Sequence, residues 1–243
     1  MNIVCIIPAR MNSSRFPGKP LMEISGKAMI KICYENAINS KSYSKVVIAT
    51  CDNEIKNYCT SNDMDYEMTS SSHERCSSRC LEALLNLENK GENYDAVLML
   101  QGDEPLINSD MLKKSAQALK SGEAKVTNLM TEITNMEEYK DINEVKVVVD
   151  NNSNAIYFSR APIPATKDEI KFPVFKQVCA IGFSRESLIA FEDFPESSLE
   201  KIESVDMLRF VQNDVKIKMI EVSGNIVSVD TPSDLKKAQL FFK

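Results

Sequence analysis

The sequence lacks the features that would direct a protein into a membrane or a secretion pathway. No apolar run approaches the roughly 20 residues that a membrane-spanning helix requires. The first residues, MNIVCIIP, carry neither the basic segment nor the small-residue cleavage site of a secretory signal. Because 43% of the residues are hydrophobic and 26% are charged, the composition is that of an ordinary globular protein. We therefore expect a soluble, cytoplasmic protein that does not bind a membrane.

Histidine is scarce, and no Cys-x-x-Cys pair is present. The chain has 1 histidine and 7 cysteines, and an odd number of cysteines without a secretion signal favours reduced thiols. Cys76 and Cys80 lie near His73, which raises the possibility of a metal site. Zinc usually needs four such ligands, and the sequence offers no second cluster. Thiols that pack a helix are the preferred interpretation.

Two common nucleotide-binding motifs are also missing. Gly18-Lys19 and Gly26-Lys27 are not followed by serine or threonine, so the P-loop pattern is absent, and no GxGxxG motif occurs. The net charge of −6 argues against a general nucleic-acid surface. Any site for an anion must therefore come from a local concentration of positive charge.

Apolar segments alternate with helical patterns through the first half of the chain. Strands are predicted over 3–7, 45–50, 64–68 and 94–100, and helices over 28–39, 53–61 and 71–91. Ser71 and Glu74 have the spacing of a capping box at the start of the third helix. Because the strands lack polar alternation, we expect a mostly parallel sheet that is covered on both faces. The sequence predicts a doubly wound α/β fold in a single domain, residues 1–243.

The pattern changes after about residue 125. The segments KVTNLMTEI, VKVVVDNNSNAIYFSR and VCAIGFS predict strands joined by turns, and so an antiparallel extension of the sheet in the second half. A short strand is predicted in IVSV, just before DTPSD and a terminal helix. In open α/β sheets, ligands bind beyond the carboxyl ends of the strands, so residues that follow strands are the candidate site residues.

The segment IPARMNSSRFPGKPL, residues 7–21, follows the first strand and concentrates positive charge. It carries Arg10, Arg15 and Lys19 together with the hydroxyls of Ser13 and Ser14. Forked guanidinium donors, an ammonium group and backbone N–H groups can converge on an oligophosphate. The alternative for this segment taken alone is a solvated basic loop.

Two aspartates follow predicted strands elsewhere in the chain. Asp103 lies in QGDEP after the strand at 94–100, and Asp230 lies in VDTPSD near the carboxyl terminus. Two carboxylates that face a basic loop suit Mg²⁺ bridging to substrate phosphates. The alternative is that each aspartate caps a helix.

The motifs IPARMNSSRFPGKPL, VVIATCDNEI, LQGDEPLI, YFSRAPIP and VDTPSDL occur together, in this order, over nearly the whole chain. In this respect the sequence resembles the 3-deoxy-manno-octulosonate (Kdo) cytidylyltransferases. The resemblance implies a nucleotide-diphospho-sugar transferase-like fold, a homodimer, and transfer of CMP from CTP to a 2-keto sugar acid with release of pyrophosphate. It implies catalytic roles for Arg10, Arg15, Lys19 and Asp103, nucleotide binding by Ala9, Arg10, Ser13, Ser14, Arg15, Lys19 and Gln101, a Mg²⁺ site at Asp103 and Asp230, and acceptor binding by His73, Arg79, Gln101 and Arg160. Arg75 and Asp206, which stand where the family has other residues, are further candidates for acceptor binding.

The sequence departs from the family pattern where the family contacts the sugar acid. This sequence has HERCSSR where the family has HxSGTDR, AIGF where the family has HIGIY, and VDMLR where the family has LEQLR. Ala180 therefore replaces a histidine, and Met207 replaces a glutamine with its side-chain amide. Arg75, Arg79 and Glu82 have helical spacing and form either a solvent-facing salt-bridged stripe or, with His73, an anion socket. The acceptor is therefore Kdo, a modified Kdo or another anionic compound such as a phosphonate. A nucleotidyltransferase for another base and a catalytically silent nucleotide-binding homologue stay open as alternatives.

Overall fold

The computed structural model describes residues 1–13, 15–166 and 173–242. Its strands are β1 (Ile3–Ala9), β2 (Glu23–Ile24), β3 (Lys27–Ala28), β4 (Lys45–Thr50), β5 (Tyr66–Met68), β6 (Ala96–Leu100), β7 (Val126–Glu132), β8 (Lys146–Val149), β9 (Ala155–Ser159), β10 (Phe175–Ser184) and β11 (Ile217–Glu221). Its α-helices are α1 (Met29–Asn39), α2 (Asn53–Ser61), α3 (Cys76–Asn89), α4 (Ser109–Lys120), α5 (Met136–Lys140), α6 (Arg185–Asp193), α7 (Ser198–Glu203), α8 (Met207–Gln212) and α9 (Pro232–Gln239). A 3-10 helix spans Lys19–Leu21.

A central sheet contains β11, β7, β10, β6, β1, β4 and β5 in that order, with β8 paired to β10 and β9 paired to β8. The pairs β1–β4, β1–β6, β4–β5 and β7–β11 are parallel. Strand β10 is antiparallel to both of its neighbours, β6 and β7, and β8 and β9 form an antiparallel hairpin. The predicted α/β sheet, mostly parallel with antiparallel strands in the second half, is confirmed.

Strand β1 shows why the sheet is covered on both faces. Its seven residues are all buried. Val4 and Ile6 belong to the apolar cluster that contains Leu84 of α3, whereas Cys5 and Ile7 belong to the cluster that contains α1 and α4 residues. Because successive side chains of a strand point to opposite faces, each face of β1 packs against a helical layer. The continuous apolar run of β1 is the sequence signature of this double burial.

Two local predictions are wrong. Helix α3 begins at Cys76, and its N-cap residue, Arg75, makes no side-chain capping bond. The proposed capping box of Ser71 and Glu74 therefore does not form. The segment at 226–229 is not a strand, and Asp230 precedes α9, which Thr231 caps through its side chain. Asp230 thus lies neither at a strand end nor at the N-cap position.

None of the helices in the described part of the chain combines the length and the apolar character needed to cross a bilayer. That the 243 residues form one domain stays a prediction.

Candidate active site

A cleft of ≈ 370 Å³ lies beside β1, where successive strands stop being added on one side of β1 and continue on its other side. From β1 the chain proceeds to β4 and β5 on one side, and then returns to β6 on the other side of β1. Ligands of open α/β sheets bind at such a switch point, beyond the carboxyl ends of the strands. Ala9, the last residue of β1, and Gln101, which directly follows β6, both line the cleft.

The cleft gathers the site residues that the sequence analysis named from separate parts of the chain. Its lining includes Ala9, Arg10, Ser13, Arg15, Lys19, His73, Arg75, Arg79, Gln101, Asp103, Arg160, Asp206 and Asp230. Ser14 lies outside the described residues.

The basic loop after β1 is folded back by backbone hydrogen bonds. Gly18 has φ 74°, a left-handed conformation that glycine adopts without steric cost, and its N–H donates to Met11 O at 2.9 Å. Met11 N in turn donates to the Asp52 carboxylate at 2.8 Å, just after β4. The loop is thereby closed, and Lys19 begins the 3-10 helix at the floor of the cleft.

Lys19 joins the two aspartates that the sequence placed in different motifs. Its Nζ lies 2.5 Å from Asp103 Oδ2 and 3.1 Å from Asp230 Oδ1. Arg15 adds a second contact to Asp230, at 2.9 Å, and also donates to Asn143 Oδ1 at 3.0 Å. Burial lowers the pKa of Lys19, but the two carboxylates outweigh burial and hold that pKa above its usual value. Lys19 is therefore a fixed positive charge between two negative ones.

Asp103 is only partly satisfied by these contacts. Its Oδ1 atom is buried and has no hydrogen-bond partner among the described residues. A carboxylate oxygen that is buried without a partner costs free energy unless a ligand satisfies it. Asp103, which lines the cleft, therefore has one carboxylate oxygen that accepts no hydrogen bond from the described residues.

Glu104 is a cleft residue that the sequence analysis missed. It is 1% exposed, and its Oε1 accepts a hydrogen bond from Ser228 Oγ at 2.6 Å, whereas Oε2 has no partner among the described residues. Burial, together with the neighbouring charge of Asp103, raises the pKa of Glu104 to about 7. The available signal was its position in QGDEP, directly after Asp103.

The opposite side of the cleft contains a buried arginine. Arg79 is 3% exposed and donates to Thr69 Oγ1 at 2.6 Å and to the backbone oxygens of Ser70 and His73 at 3.2 and 3.4 Å. These partners are neutral, so Arg79 brings positive charge to the wall. The His73 ring contacts Ser78 Oγ at 3.0 Å and the Glu82 carboxylate.

Arg75 does not form the stripe with Arg79 and Glu82 that its spacing suggested. Its guanidinium contacts Asp206 at 3.2 Å, with two further carboxylates at 3.4 Å (Glu196) and 3.8 Å (Glu200). The solvent-facing stripe is wrong, because Arg79 is buried and Arg75 points toward α7 and α8. Burial raises the pKa of Asp206, although Arg75 opposes this effect.

Arg160, which lines the cleft, donates hydrogen bonds to three backbone carbonyls. Its Nε donates to Glu203 O at 2.7 Å, and its two terminal nitrogens donate to Ile142 O at 3.0 Å and Ser204 O at 3.3 Å. Ala180, the position of a family histidine, is fully buried in the core, whereas the flanking Cys179 and Ile181 line the cleft. Met207, by contrast, does line it.

Known proteins resemble this chain over nearly its whole length. A family model described as "Cytidylyltransferase" matches residues 4–217. An 8-amino-3,8-dideoxy-manno-octulosonate cytidylyltransferase from Shewanella pealeana is 37% identical over 97% of this chain and 96% of the relative. A 3-deoxy-manno-octulosonate cytidylyltransferase from Syntrophotalea carbinolica is 35% identical over 98% of each chain. A solved structure of CMP:2-keto-3-deoxy-manno-octonic acid synthetase complexed with CTP superposes with a TM-score of 0.89 at 32% identity, over 99% of this chain and 98% of the other.

Proposed function

Since this chain belongs to the cytidylyltransferase family, we propose that it transfers CMP from CTP to a Kdo-type 2-keto sugar acid and releases pyrophosphate. The observation that carries this proposal is the cluster of Lys19, Arg15, Asp103 and Asp230 at the switch point of the sheet. Such a cluster of fixed charges suits a triphosphate and its counterion. The names of the relatives given above indicate which nucleotide and which class of acceptor to propose.

In the proposed reaction, a hydroxyl of the acceptor attacks the α-phosphorus of CTP in line. The bond between the α-phosphorus and the oxygen leading to the β-phosphate breaks, and a proton and pyrophosphate are released. The protein has little covalent chemistry to perform, because holding the two reactants together and neutralising charge lower the barrier. Arg10, Arg15 and Lys19 provide that positive charge on the side of the loop after β1.

Asp103 and Asp230 fit a divalent metal ion. Their carboxylates converge on Lys19, and Oδ1 of Asp103 is buried without a partner in the described part of the chain. Among the same residues, no group of three or more His, Cys, Asp and Glu side chains could hold a metal. Mg²⁺ does not require three protein ligands here, because it is commonly bound by one or two carboxylates together with the phosphates of a substrate. When bound, Mg²⁺ would neutralise charge on the phosphate oxygens.

The acceptor is proposed to occupy the side of the cleft that His73, Arg79 and Asp206 line. Arg79, whose hydrogen-bond partners are neutral, suits the acceptor carboxylate, whereas Arg75 already contacts three carboxylates. The relatives named above act on Kdo and on its 8-amino derivative. We propose these two acids as the acceptors to compare first, with phosphonates as the alternative class.

The test is pyrophosphate release with each of CTP, UTP, ATP and GTP, in the presence of Mg²⁺ and of Kdo, 8-amino-Kdo, a phosphonate or no acceptor. Release that requires both CTP and a sugar acid is the expected result. CTP binding without release with any acceptor would identify a silent homologue. Release with a different nucleotide would identify another nucleotidyltransferase.

We also propose that the protein is a homodimer, as the family resemblance implies. Exposed apolar side chains on β9 and α7, those of Ile156 and Ile202, support an interface there. Light scattering would give the mass of one chain, 27.3 kDa, if the proposal is wrong.

A further inference from the structure

The segment that carries Asp230 has no regular secondary structure. It runs between β11 and α9, and residues 225–230 are assigned to no strand or helix. No ladder of sheet hydrogen bonds therefore fixes the carboxylate of Asp230 with respect to Asp103, which follows β6. Other contacts must determine the separation of the two carboxylates.

Two of these contacts come from residues 103 and 104. Val229 N donates to Asp103 O at 2.9 Å. Ser228 Oγ donates to Glu104 Oε1 at 2.6 Å, although the two residues are 124 positions apart in the sequence. The residues just before Asp230 are thus tied to Asp103 itself and to its immediate neighbour.

A third contact comes from β10. The buried side chain of Lys176 donates to Ile226 O at 3.2 Å. Its Nζ is held in turn by Glu138 at 2.5 Å and Glu144 at 3.1 Å. This contact fixes the beginning of the segment, four residues before Asp230. Lys19 and Arg15 contact the Asp230 carboxylate itself, and within residues 225–229 the Ser228 side chain makes the contact nearest to Asp230 in the sequence.

Burying the carboxylate of Glu104 costs free energy that a purely structural role would not require. It is almost fully buried on the cleft, next to the like charge of Asp103, and its Oε2 has no partner among the described residues. A buried carboxylate of this kind costs free energy in both its desolvation and its repulsion by the neighbouring charge. Its Oε1 accepts two hydrogen bonds, a short one of 2.6 Å from Ser228 in the segment that carries Asp230 and a longer one of 3.4 Å from Cys179 N on β10.

We propose that Glu104 and Ser228 are positioning residues, which hold Asp230 opposite Asp103 and thereby set the affinity of the cleft for a divalent cation. The inference rests on the proposed function, in which these two aspartates hold the metal ion. Residues that orient metal ligands typically change metal affinity by about 10–100-fold when they are replaced.

The experiment measures Mn²⁺ binding by electron paramagnetic resonance, with CTP present and no acceptor, so that the readout does not depend on turnover. The variants are Ser228→Ala and Glu104→Ala, which remove the donor and the acceptor of the same hydrogen bond. Glu104→Gln keeps a carbonyl oxygen for Ser228 and is the conservative replacement. Ser115→Ala is the matched control, because Ser115 is a buried serine away from the cleft whose hydroxyl has no partner among the described residues.

We expect Ser228→Ala and Glu104→Ala to raise the Kd for Mn²⁺ about tenfold or more, and Glu104→Gln to restore most of the affinity. CTP binding in the presence of EDTA and the KM for the acceptor should stay unchanged, which a general loss of structure would not allow. Ser115→Ala should bind Mn²⁺ as the wild type does.

Wild-type affinity in Ser228→Ala would overturn the proposal, even if Glu104→Ala fails to fold. A loss in Glu104→Gln as large as in Glu104→Ala would also overturn it, because the charge and not the hydrogen bond would then matter. Failure of the proposed function gives a different result: the wild type would bind Mn²⁺ and CTP but would release no pyrophosphate with any acceptor.

Discussion

At the scale of single residues, the site consists of opposite charges that satisfy one another before any substrate binds. Lys19 contacts both Asp103 and Asp230, and Arg15 contacts Asp230. Arg10 is exposed on the cleft, and its side chain makes no hydrogen bond or ion pair within the described residues. A triphosphate with its cation would exchange these contacts for stronger ones, since charge-assisted hydrogen bonds to phosphate are among the strongest in proteins.

The first prediction concerns the two carboxylates. Asp103→Asn and Asp230→Asn should each abolish CTP-dependent pyrophosphate release, because an amide cannot replace the charge that a divalent cation needs. The melting temperature should change little, since both side chains lie on the cleft and outside the apolar clusters. Asp110→Asn is the control, because Asp110 is exposed on α4. Turnover near the wild-type level in either cleft variant would remove that residue from the proposed metal site.

The second prediction concerns Lys19. Lys19→Met should weaken CTP binding by about 1.5–3 kcal/mol, the range for a hydrogen bond to a charged group, because the ammonium faces a polyanion in a partly buried cleft. Isothermal titration calorimetry with CTP measures the change. Lys27→Met is the matched control, because Lys27 is exposed on β3. Equal CTP affinity in both variants would mean that the loop after β1 is only a solvated basic loop.

At the scale of secondary-structure elements, ion pairs connect helices around the side of the cleft that is proposed to bind the acceptor. Glu200 of α7 is fully buried and contacts Arg209 of α8 through both carboxylate oxygens, at 2.7 Å each. Arg209 also stacks on Phe191 of α6, with its guanidinium carbon 4.1 Å from the ring centroid. Arg75 then joins this group to the start of α3. The position of Asp206 on the cleft depends on these contacts between helices.

The third prediction follows from the buried pair. Arg209→Met should lower the free energy of unfolding by about 3–5 kcal/mol, because it leaves the carboxylate of Glu200 buried without its main partner. Urea unfolding followed by circular dichroism gives the value. Lys201→Met is the control, because it removes an exposed ion pair between Lys201 of the same helix and Glu196. It should lower the free energy of unfolding by no more than about 1 kcal/mol. A similar loss in both variants would show that the α7–α8 pair contributes no more than a surface pair.

At the scale of the whole molecule, β10 decides how the two halves of the chain meet. It lies between β6 and β7 and runs antiparallel to both, and α4 packs over it. Gly182 allows this close packing. A Cβ at that position would lie 2.4 Å from Thr127 Oγ1 on β7 and 2.7 Å from Leu119 Cδ1 on α4.

The fourth prediction tests that contact. Gly182→Ala should lower the free energy of unfolding by about 1–3 kcal/mol, because an added methyl group forces a well-packed core apart. Thermal and urea unfolding measure the loss. Gln117→Ala, at an exposed position of the same α4, should be close to neutral. A wild-type stability for Gly182→Ala would mean that α4 does not press on the sheet at this residue.

The sequence alone determined the type of sheet, and it named candidate site residues that the structure brings together in one cleft. Continuous apolar strands such as β1 encode burial on both faces locally, so the α/β class could be predicted without knowledge of any contact. The residues in IPARMNSSRFPGKPL and QGDEP could be named because the chemistry of phosphate and Mg²⁺ limits the side chains that can bind them. Helices α4, α5 and α6 received no prediction, although the buried Met111, Leu112 and Leu119 of α4 have helical spacing.

Only the tertiary structure decided which of these residues act on one another. Lys19 and Asp230 are 211 positions apart, and Ser228 and Glu104 are 124 positions apart, so no local period relates them. Arg75 has helical spacing to Arg79 and Glu82, but its partners are Asp206, Glu196 and Glu200 because α3 begins one residue later and α7 and α8 pack beside it. Periodicity in a sequence reports which face of an element is buried, whereas the partner of a charged side chain depends on the order in which distant elements pack.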